Sequence, residues 1–194
     1  MGYNTDRSGF RWNFEESLGS AAAKGRTAVL VGAGGAGSGV AFAMMDLGLK
    51  TLIVHDRDTA RAAALVTTMV ARFGASCCRL AGDLPTEIAG ADGILNGTPI
   101  GMAGFPGNPV PMDTVSSRHW VADVIYSPIE TVLIKAAAAK GARTLTGGGM
   151  AVGQAVDSFR VFTGIDPDVG RMRRTFKTAL AERDKALTME PLGN

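Results

Sequence analysis

Residues 28–38 read Ala-Val-Leu-Val-Gly-Ala-Gly-Gly-Ala-Gly-Ser, an apolar run that breaks into the spacing Gly-x-Gly-x-x-Gly. The apolar run predicts a buried parallel strand, and the Ala-rich residues that follow, as far as Leu47, predict a helix. In such a turn the first glycine permits the bend, the second lets a pyrophosphate approach, and the third lets the helix pack on the strand. The predicted cradle for a dinucleotide consists of Gly32, Ala33, Gly34, Gly35, Ala36 and Gly37.

An acidic residue at the expected distance supports this interpretation over its alternative, a Gly-rich structural turn. A second apolar run, 51–54, is followed by Asp56, about twenty residues beyond the glycines, where a carboxylate can hold a ribose diol. The same position would repel a 2′-phosphate, so Asp56 and Asp58 favour NAD over NADP. Arg57 and Arg61 could instead accept a phosphate, or they form a solvated helix face.

The rest of the chain alternates strand-like and helix-like segments. Helices are predicted over 6–23, 59–73, 129–140, 150–162 and 168–185, and strands over 76–80, 93–95, 121–125 and 144–145. Residues 101–119 are rich in Gly and Pro and predict a loop. Repeated β-α units predict an α/β fold of the Rossmann type, a doubly wound parallel sheet with right-handed crossovers. We divide the chain into a linking helix (1–24), a dinucleotide-binding domain (25–187) and a tail (188–194).

Composition excludes several classes of protein. Of the 194 residues, 46% are hydrophobic and 20% charged, which is typical of a globular domain. The net charge of +2 comes from interleaved residues with no basic stripe, so we expect no nucleic acid partner. Cys77 and Cys78 are adjacent and suit neither a stabilising disulfide nor a metal site. No apolar run is long enough to span a bilayer, and we expect a cytoplasmic protein.

Four further clusters carry a family resemblance. They are Gly2-Tyr-Asn-Thr-Asp6 with Gly9-Phe10, Asn96-Gly-Thr-Pro-Ile-Gly-Met102, Asp123-Val-Ile-Tyr-Ser-Pro-Ile-Glu-Thr131 and Gly147-Gly-Gly-Met-Ala-Val-Gly-Gln154. In this order, around a dinucleotide-binding segment, they resemble the motifs of the shikimate and quinate dehydrogenases. Gly97 departs from the Ala that is usual in the second motif. In that family, hydride passes between a nicotinamide cofactor and a ring alcohol of shikimate or quinate.

The resemblance implies roles for single residues. Asp6 resembles the catalytic carboxylate that contacts a ring hydroxyl, although it could simply cap the helix that follows. Tyr126 and Gln154 are the other substrate-binding candidates, with a core aromatic as the alternative for Tyr126. The remaining cofactor-binding candidates are Asn96, Thr98, Pro99, Gly147 and Met150. An ordinary Asn-Pro loop and a core methionine are the alternatives for the 96–99 segment and for Met150.

One part of the family pattern has no counterpart among these motifs. The resemblance implies a substrate domain before the N-T-D motif, with paired serines and a lysine that acts with the aspartate. We therefore expect this chain to be the cofactor-binding part of a truncated dehydrogenase that uses NAD, with NADP less favoured. The alternatives are a stand-alone, non-catalytic dinucleotide-binding module and a methylene-tetrahydrofolate dehydrogenase-like domain. The resemblance implies a small-molecule substrate and allows a homodimer.

Overall fold

Six strands and seven helices alternate along the chain in a computed structural model that describes residues 4–189, and side chains as far as residue 183. The strands are β1 (Thr27–Val31), β2 (Thr51–His55), β3 (Cys78–Leu80), β4 (Gly93–Asn96), β5 (Trp120–Asp123) and β6 (Arg143–Leu145). The helices are α1 (Thr5–Ser17), α2 (Gly35–Asp46), α3 (Thr59–Phe73), α4 (Leu84–Gly90), α5 (Val132–Ala139), α6 (Gly148–Thr163) and α7 (Val169–Met189). Short 3₁₀ turns lie at Ser20–Ala22 and Met112–Thr114.

The six strands form one sheet in the order β3-β2-β1-β4-β5-β6. All neighbouring pairs are parallel. The chain runs outward in one direction from β1 to β3 and in the other from β4 to β6, so the order reverses between β1 and β4. In open sheets of this kind ligands bind in the crevice at that reversal, outside the carboxyl ends of the strands. The predicted doubly wound Rossmann-type sheet is confirmed.

Two hydrophobic clusters cover the two faces of the sheet. Successive residues of β1 alternate between them, with Ala28 and Leu30 in one cluster and Val29 and Val31 in the other. This alternation follows from the pleat of a strand, and burial on both faces explains why the strand reads as a continuous apolar run. No helix within residues 4–189 is both long and apolar enough to cross a membrane.

Helix α1 packs into the larger cluster by its predicted apolar face. Phe10 and Phe14 are 1% and 0% exposed, and the Phe14 ring meets Trp120 of β5 edge-on, with 5.1 Å between ring centroids. Where α1 crosses α6, a Cβ on Gly9 would lie 2.6 Å from the Gln154 backbone nitrogen. A Cβ on Gly153 would lie 2.9 Å from the Cα of Gly9. The two helices therefore touch backbone to backbone.

Several predicted boundaries were wrong. Helix α4 was not predicted, because its seven residues are too short to show a helical period; Asp83 caps it by accepting from the Thr86 N–H. Helix α1 ends at Ser17 instead of continuing to residue 23, and α5 begins at Val132 instead of residue 129. Helix α7 extends to Met189, within the predicted tail, and residues 190–194 of that tail lie outside the described residues.

The strand predicted over 76–80 contains both cysteines. Cys77 instead precedes β3, and both thiols are free and buried in the larger cluster. Burial raises the pKa of Cys78 to about 12, so this thiol stays protonated at neutral pH. Neither cysteine is placed to act as a thiolate.

We predict that Glu87→Gln lowers stability at neutral pH and lowers it less in acid. Hydrogen bonds from the Arg79 guanidinium, at 2.6 and 2.7 Å, lower the pKa of Glu87 from 4.5 to about 2. The stabilisation is therefore present above pH 4.5 and is lost as the pH falls toward 2. Because Arg79 is half exposed, we expect a loss of only about 1 kcal/mol at pH 7.

Urea unfolding at pH 7 and pH 3 measures this difference. The exposed Glu130→Gln is the matched control and should change stability by less than about 0.5 kcal/mol. An equal loss for Glu87→Gln at both pH values would contradict the assignment.

Candidate functional site

The glycine turn between β1 and α2 is shaped by two backbone contacts. Gly32 has a φ of +100°, a conformation that L side chains rarely adopt, and its missing Cβ faces the backbone of Gly97 and Thr98 at 2.8 Å. A Cβ on Gly37 would overlap the carbonyl oxygen of Gly32. By contrast, nothing lies within 4 Å of the position of a Cβ on Gly34. The first and third glycines are therefore required by packing, and the second faces open space.

The N-terminus of α2 lies in this turn without a side-chain cap. The N-cap residue is Gly34, whereas Asp58, Asp83 and Thr131 accept backbone N–H bonds at the starts of α3, α4 and α5. The first N–H groups of α2 therefore lack the side-chain acceptor that these other helices have. Free N–H groups and the helix dipole together make this end a place for an anion.

Asp56, at the carboxyl end of β2, holds the turn from one side. Its Oδ2 accepts the N–H of Ala33 at 2.7 Å, and its Oδ1 accepts the N–H of Asp58 at 2.9 Å. Partial burial raises the pKa of Asp56, but these two N–H donors and the nearby Arg61 and Arg57 outweigh it, and the net pKa lies below its ordinary value. The carboxylate is therefore ionised at neutral pH and joined directly to the glycine turn.

The charged residues after Asp56 serve α3. The Asp58 carboxylate caps the helix by accepting the N–H groups of Ala60 and Arg61, each at 3.1 Å. It also pairs with the Arg61 guanidinium at 3.4 Å. Arg57 and Arg61 are both exposed, as a solvated helix face predicts. Asp58 therefore caps the start of α3. Of the two aspartates, only Asp56 contacts the turn.

The β4 loop holds the turn from the other side through a buried polar network. Asn96 is fully buried; its Oδ1 accepts the N–H and the hydroxyl of Thr98 at 2.9 and 2.7 Å. Its Nδ2 donates to Asp123 Oδ1 at 3.0 Å and to the Ile100 carbonyl at 3.3 Å. The Thr131 hydroxyl donates to Asp123 Oδ2 at 2.7 Å. The Asn96 side chain therefore bonds Thr98, one of the two residues of this loop that contact Gly32.

Asp123 and Thr131 are the first and last residues of the third family motif, but no role was predicted for either residue. Asp123 is 1% exposed and Thr131 is fully buried. Burial raises the pKa of Asp123, although hydrogen bonds from Thr131, Ile125 and Asn96 act in the opposite direction. The signal that could have revealed them is polarity, because Asp123 ends an apolar strand at the edge where ligands bind.

Asp6 lies in the first turn of α1, next to α2. The alternative that Asp6 caps this helix is wrong, because Asn4 is the N-cap and accepts the Arg7 N–H at 3.1 Å. A Cβ on Gly39 of α2 would lie 3.2 Å from the Cβ of Asp6. Within the described residues the Asp6 carboxylate has no hydrogen-bond partner. It is half-buried and available to a ligand.

The contact between α1 and α6 places Gln154 near Asp6. Gly9 follows Asp6 by three residues, which is nearly one helical turn, and contacts the Gln154 backbone. The Gln154 amide is half-buried and has no protein hydrogen bond in the part of the chain that the structure describes. Tyr126 is 47% exposed, so its alternative as a core aromatic is wrong; its ring lies 6.0 Å from that of Phe176.

The remaining predicted cofactor-binding residues, Pro99, Gly147 and Met150, differ in exposure. Pro99 is exposed, whereas Gly147 is buried, and a Cβ on it would overlap the Val124 carbonyl oxygen. Met150 is 6% exposed within the larger cluster, as a core methionine predicts. Contact of either buried residue with a cofactor stays a prediction. Among residues 4–183, whose side chains the structure describes, no group of three or more His, Cys, Asp or Glu is placed to hold a metal ion.

The parallel sheet in this strand order and the uncapped glycine turn at its reversal define a Rossmann-type domain, the class that binds dinucleotides. Comparison with known proteins narrows this class. Residues 147–175 match the model of the shikimate 5′-dehydrogenase C-terminal domain. The chain is 46% identical over 188 residues to a shikimate dehydrogenase (NADP(+)) of Pseudarthrobacter chlorophenolicus, covering 96% of this chain and 64% of that protein.

A second relative and a solved structure agree. The quinate/shikimate dehydrogenase (NAD(+)) of Corynebacterium glutamicum is 48% identical over 178 residues, which is 90% of this chain and 62% of that protein. The quinate dehydrogenase of Corynebacterium glutamicum in complex with NAD superposes with a TM-score of 0.86 at 46% identity, covering 91% of this chain and 63% of that one. The chain is similar to shikimate and quinate dehydrogenases over nine tenths or more of its length, and it spans somewhat less than two thirds of the length of these relatives.

We predict that Gly37→Ala destabilises the protein while Gly35→Ala does not. The new methyl group at residue 37 meets the Gly32 carbonyl, so the turn or the helix has to move, at a cost of about 1–3 kcal/mol. At residue 35, in the first turn of α2, nothing lies within 4 Å of the new methyl group, and stability should stay equal or rise slightly. Thermal unfolding of both variants is the measurement, and equal stability of the two would contradict the steric role of Gly37.

Proposed function

We propose that this chain is the dinucleotide-binding part of an NAD-dependent shikimate or quinate dehydrogenase. The observation that carries the proposal is the uncapped N-terminus of α2, in a glycine turn joined to an ionised carboxylate at the end of β2. The open space at Gly34 admits a pyrophosphate against the α2 N–H groups, and Asp56 reaches the adjacent ribose hydroxyls. The relatives supply the cofactor class, since their names include both NAD(+) and NADP(+).

The charge on Asp56 favours NAD over NADP. Two like charges about 4 Å apart repel by ~4 kcal/mol at an effective dielectric constant of about 20. A 2′-phosphate placed against an ionised carboxylate would meet this repulsion, and a free hydroxyl would donate to the same oxygens. Arg61, the group that could neutralise a phosphate, is paired with Asp58. Arg57 is exposed and lowers the pKa of Asp56, which also preserves the negative charge.

The substrate-side residues of this chain are Asp6, Gln154 and Tyr126. When bound, the nicotinamide exchanges a hydride with the alcohol carbon of the substrate. In our proposal the Asp6 carboxylate accepts a hydrogen bond from the reacting ring hydroxyl and orients it. The Gln154 amide and the Tyr126 hydroxyl bind the substrate's other polar groups. Asp6 and Gln154 lie on α1 and α6, which pack against each other, and Tyr126 lies in the loop that follows β5.

We predict tighter binding of NAD than of NADP, with Asp56→Asn narrowing the difference. Removal of the charge removes the repulsion, while the Asn side-chain oxygen can still accept the Ala33 N–H. In the natural chain we expect the NADP dissociation constant to exceed the NAD dissociation constant at least tenfold, which corresponds to ~1.4 kcal/mol. In the variant we expect this ratio to be less than threefold. Calorimetric titration of both cofactors is the measurement.

Asp83→Asn is the matched control, because it removes an equal charge from an exposed N-cap aspartate outside the glycine turn and keeps a good helix cap. It should leave the preference within about twofold. A natural chain that binds NADP as tightly as NAD would overturn the cofactor assignment and indicate that Arg57 or Arg61 receives the phosphate.

We predict that Asp6→Ala abolishes dehydrogenation without weakening cofactor binding. The experiment fuses a substrate domain from a relative of this family before Gly2 and follows NADH formation with quinate and with shikimate. Loss of a positioned acid–base group lowers rates by about 10²–10⁴-fold. The NAD dissociation constant should change by less than twofold, because Asp6 lies on α1 and outside the glycine turn. A fusion that binds NAD and stays inactive would support a non-catalytic binding module instead.

A further inference from the structure

We propose that Asp123 and Thr131 are positioning residues for the dinucleotide, acting through Asn96 and Thr98 on the far wall of the glycine turn. The inference rests on the proposed function, because the wall matters only if a dinucleotide lies against it. Neither residue contacts the turn directly. Four side chains on three segments form one continuous series of hydrogen bonds, from the start of α5 to the loop that touches Gly32.

The series begins in the core, where both carboxylate oxygens of Asp123 accept hydrogen bonds. Oδ2 accepts the Thr131 hydroxyl at 2.7 Å, and Oδ1 accepts both the Asn96 amide and the Ile125 N–H at 3.0 Å. Thr131 is held in turn as the N-cap of α5, where its oxygen accepts the Ile134 N–H at 3.3 Å. The direction of each bond therefore fixes the Asn96 amide in one orientation, with its NH₂ toward Asp123 and its oxygen toward Thr98.

The series ends at the glycine turn. Asn96 Oδ1 accepts both donors of Thr98, and the Thr98 hydroxyl accepts the Ile100 N–H at 3.1 Å, which closes a tight loop after β4. A Cβ on Gly32 would lie 2.7 Å from the Thr98 methyl group. A Cβ on Gly97 would lie 2.8 Å from the Cα of Gly37. The β4 loop thus contacts the glycine turn directly, on the side of β1 away from Asp56.

The cost of this network indicates a role beyond packing. A buried carboxylate that no salt bridge neutralises in the described part of the chain costs free energy that an apolar pair of the same size would avoid. An apolar pair would not hold the Asn96 amide in a single orientation. Strands β4 and β5 lie on the opposite side of β1 from Asp56, which places the network at the second mononucleotide half of the crevice.

Because the network lies at the second half of the crevice, a positioning role can be distinguished from a general effect on stability by comparing two ligands. The first half of the crevice, with Asp56, receives the adenosine, so a loosened β4 loop should weaken the whole dinucleotide and spare 5′-AMP. We expect Asp123→Asn to raise the NAD dissociation constant at least tenfold, and Thr131→Val about threefold, with the 5′-AMP dissociation constant within twofold in both. Thr131→Ser keeps the hydroxyl and should restore the natural NAD affinity.

Both ligands are titrated into the full chain and followed by the NMR signals of the backbone amides, well below the unfolding temperature of each variant. Leu133→Ala is the matched control: Leu133 lies on α5 and is 1% exposed, outside the hydrogen-bonded series, so its loss should lower stability and leave NAD affinity unchanged. If Asp123→Asn fails to fold, Thr131→Val and Thr131→Ser decide the question alone.

Three outcomes would overturn the inference: unchanged NAD affinity in the variants, equal weakening of NAD and 5′-AMP, or equal weakening by Leu133→Ala. In each of these the natural chain still binds NAD, and the proposed function stands. A natural chain that does not bind NAD would overturn both.

Discussion

The contact between the backbone of Gly37 and the carbonyl of Gly32 is the constraint on which the site depends. It lets the start of α2 approach the end of β1 more closely than any side chain would allow. That approach brings the uncapped N–H groups of α2 to the point where the strand order reverses. The anion-binding character of the turn is therefore a consequence of packing, since the helix start cannot lie elsewhere while β1 and α2 keep this contact.

The two neighbouring strands support the turn in different ways. On the β2 side a partly exposed carboxylate, Asp56, accepts the Ala33 N–H and keeps its charge, so the residue that supports the turn is also the one proposed to select the ligand. On the β4 side support comes from a neutral contact, Thr98 against Gly32, and the charge behind it is buried at Asp123. The half of the crevice at β2 is thus negatively charged at its surface. On the other half, the β4 loop meets the turn through uncharged groups held by hydrogen bonds.

Helix α1 adds the proposed substrate-binding carboxylate, Asp6, to this frame. Its phenylalanines anchor it in the core, and its glycine contact with α6 removes the space that side chains would otherwise occupy between the helices. Asp6 and Gln154 are consequently held near each other by backbone contact, with their polar ends unpaired in the described part of the chain. Small residues at a helix crossing serve here to align two ligand-facing side chains. The same contact brings the motif that contains Asp6 next to the motif that contains Gln154, although they lie near opposite ends of the sequence.

The sequence by itself determined the strand–turn–helix at residues 28–47, the alternating order of elements and the polar residues that end the strands. These follow from periodicity and from glycines whose roles are local. It could not reveal α4, whose seven residues are too few for a period. Nor could it show that Asp56 bonds Ala33, or that Asp123 orients Asn96 across 27 positions. Those bonds exist only because parallel pairing sets the ends of β2, β1, β4 and β5 side by side, and that pairing is a property of the assembled sheet.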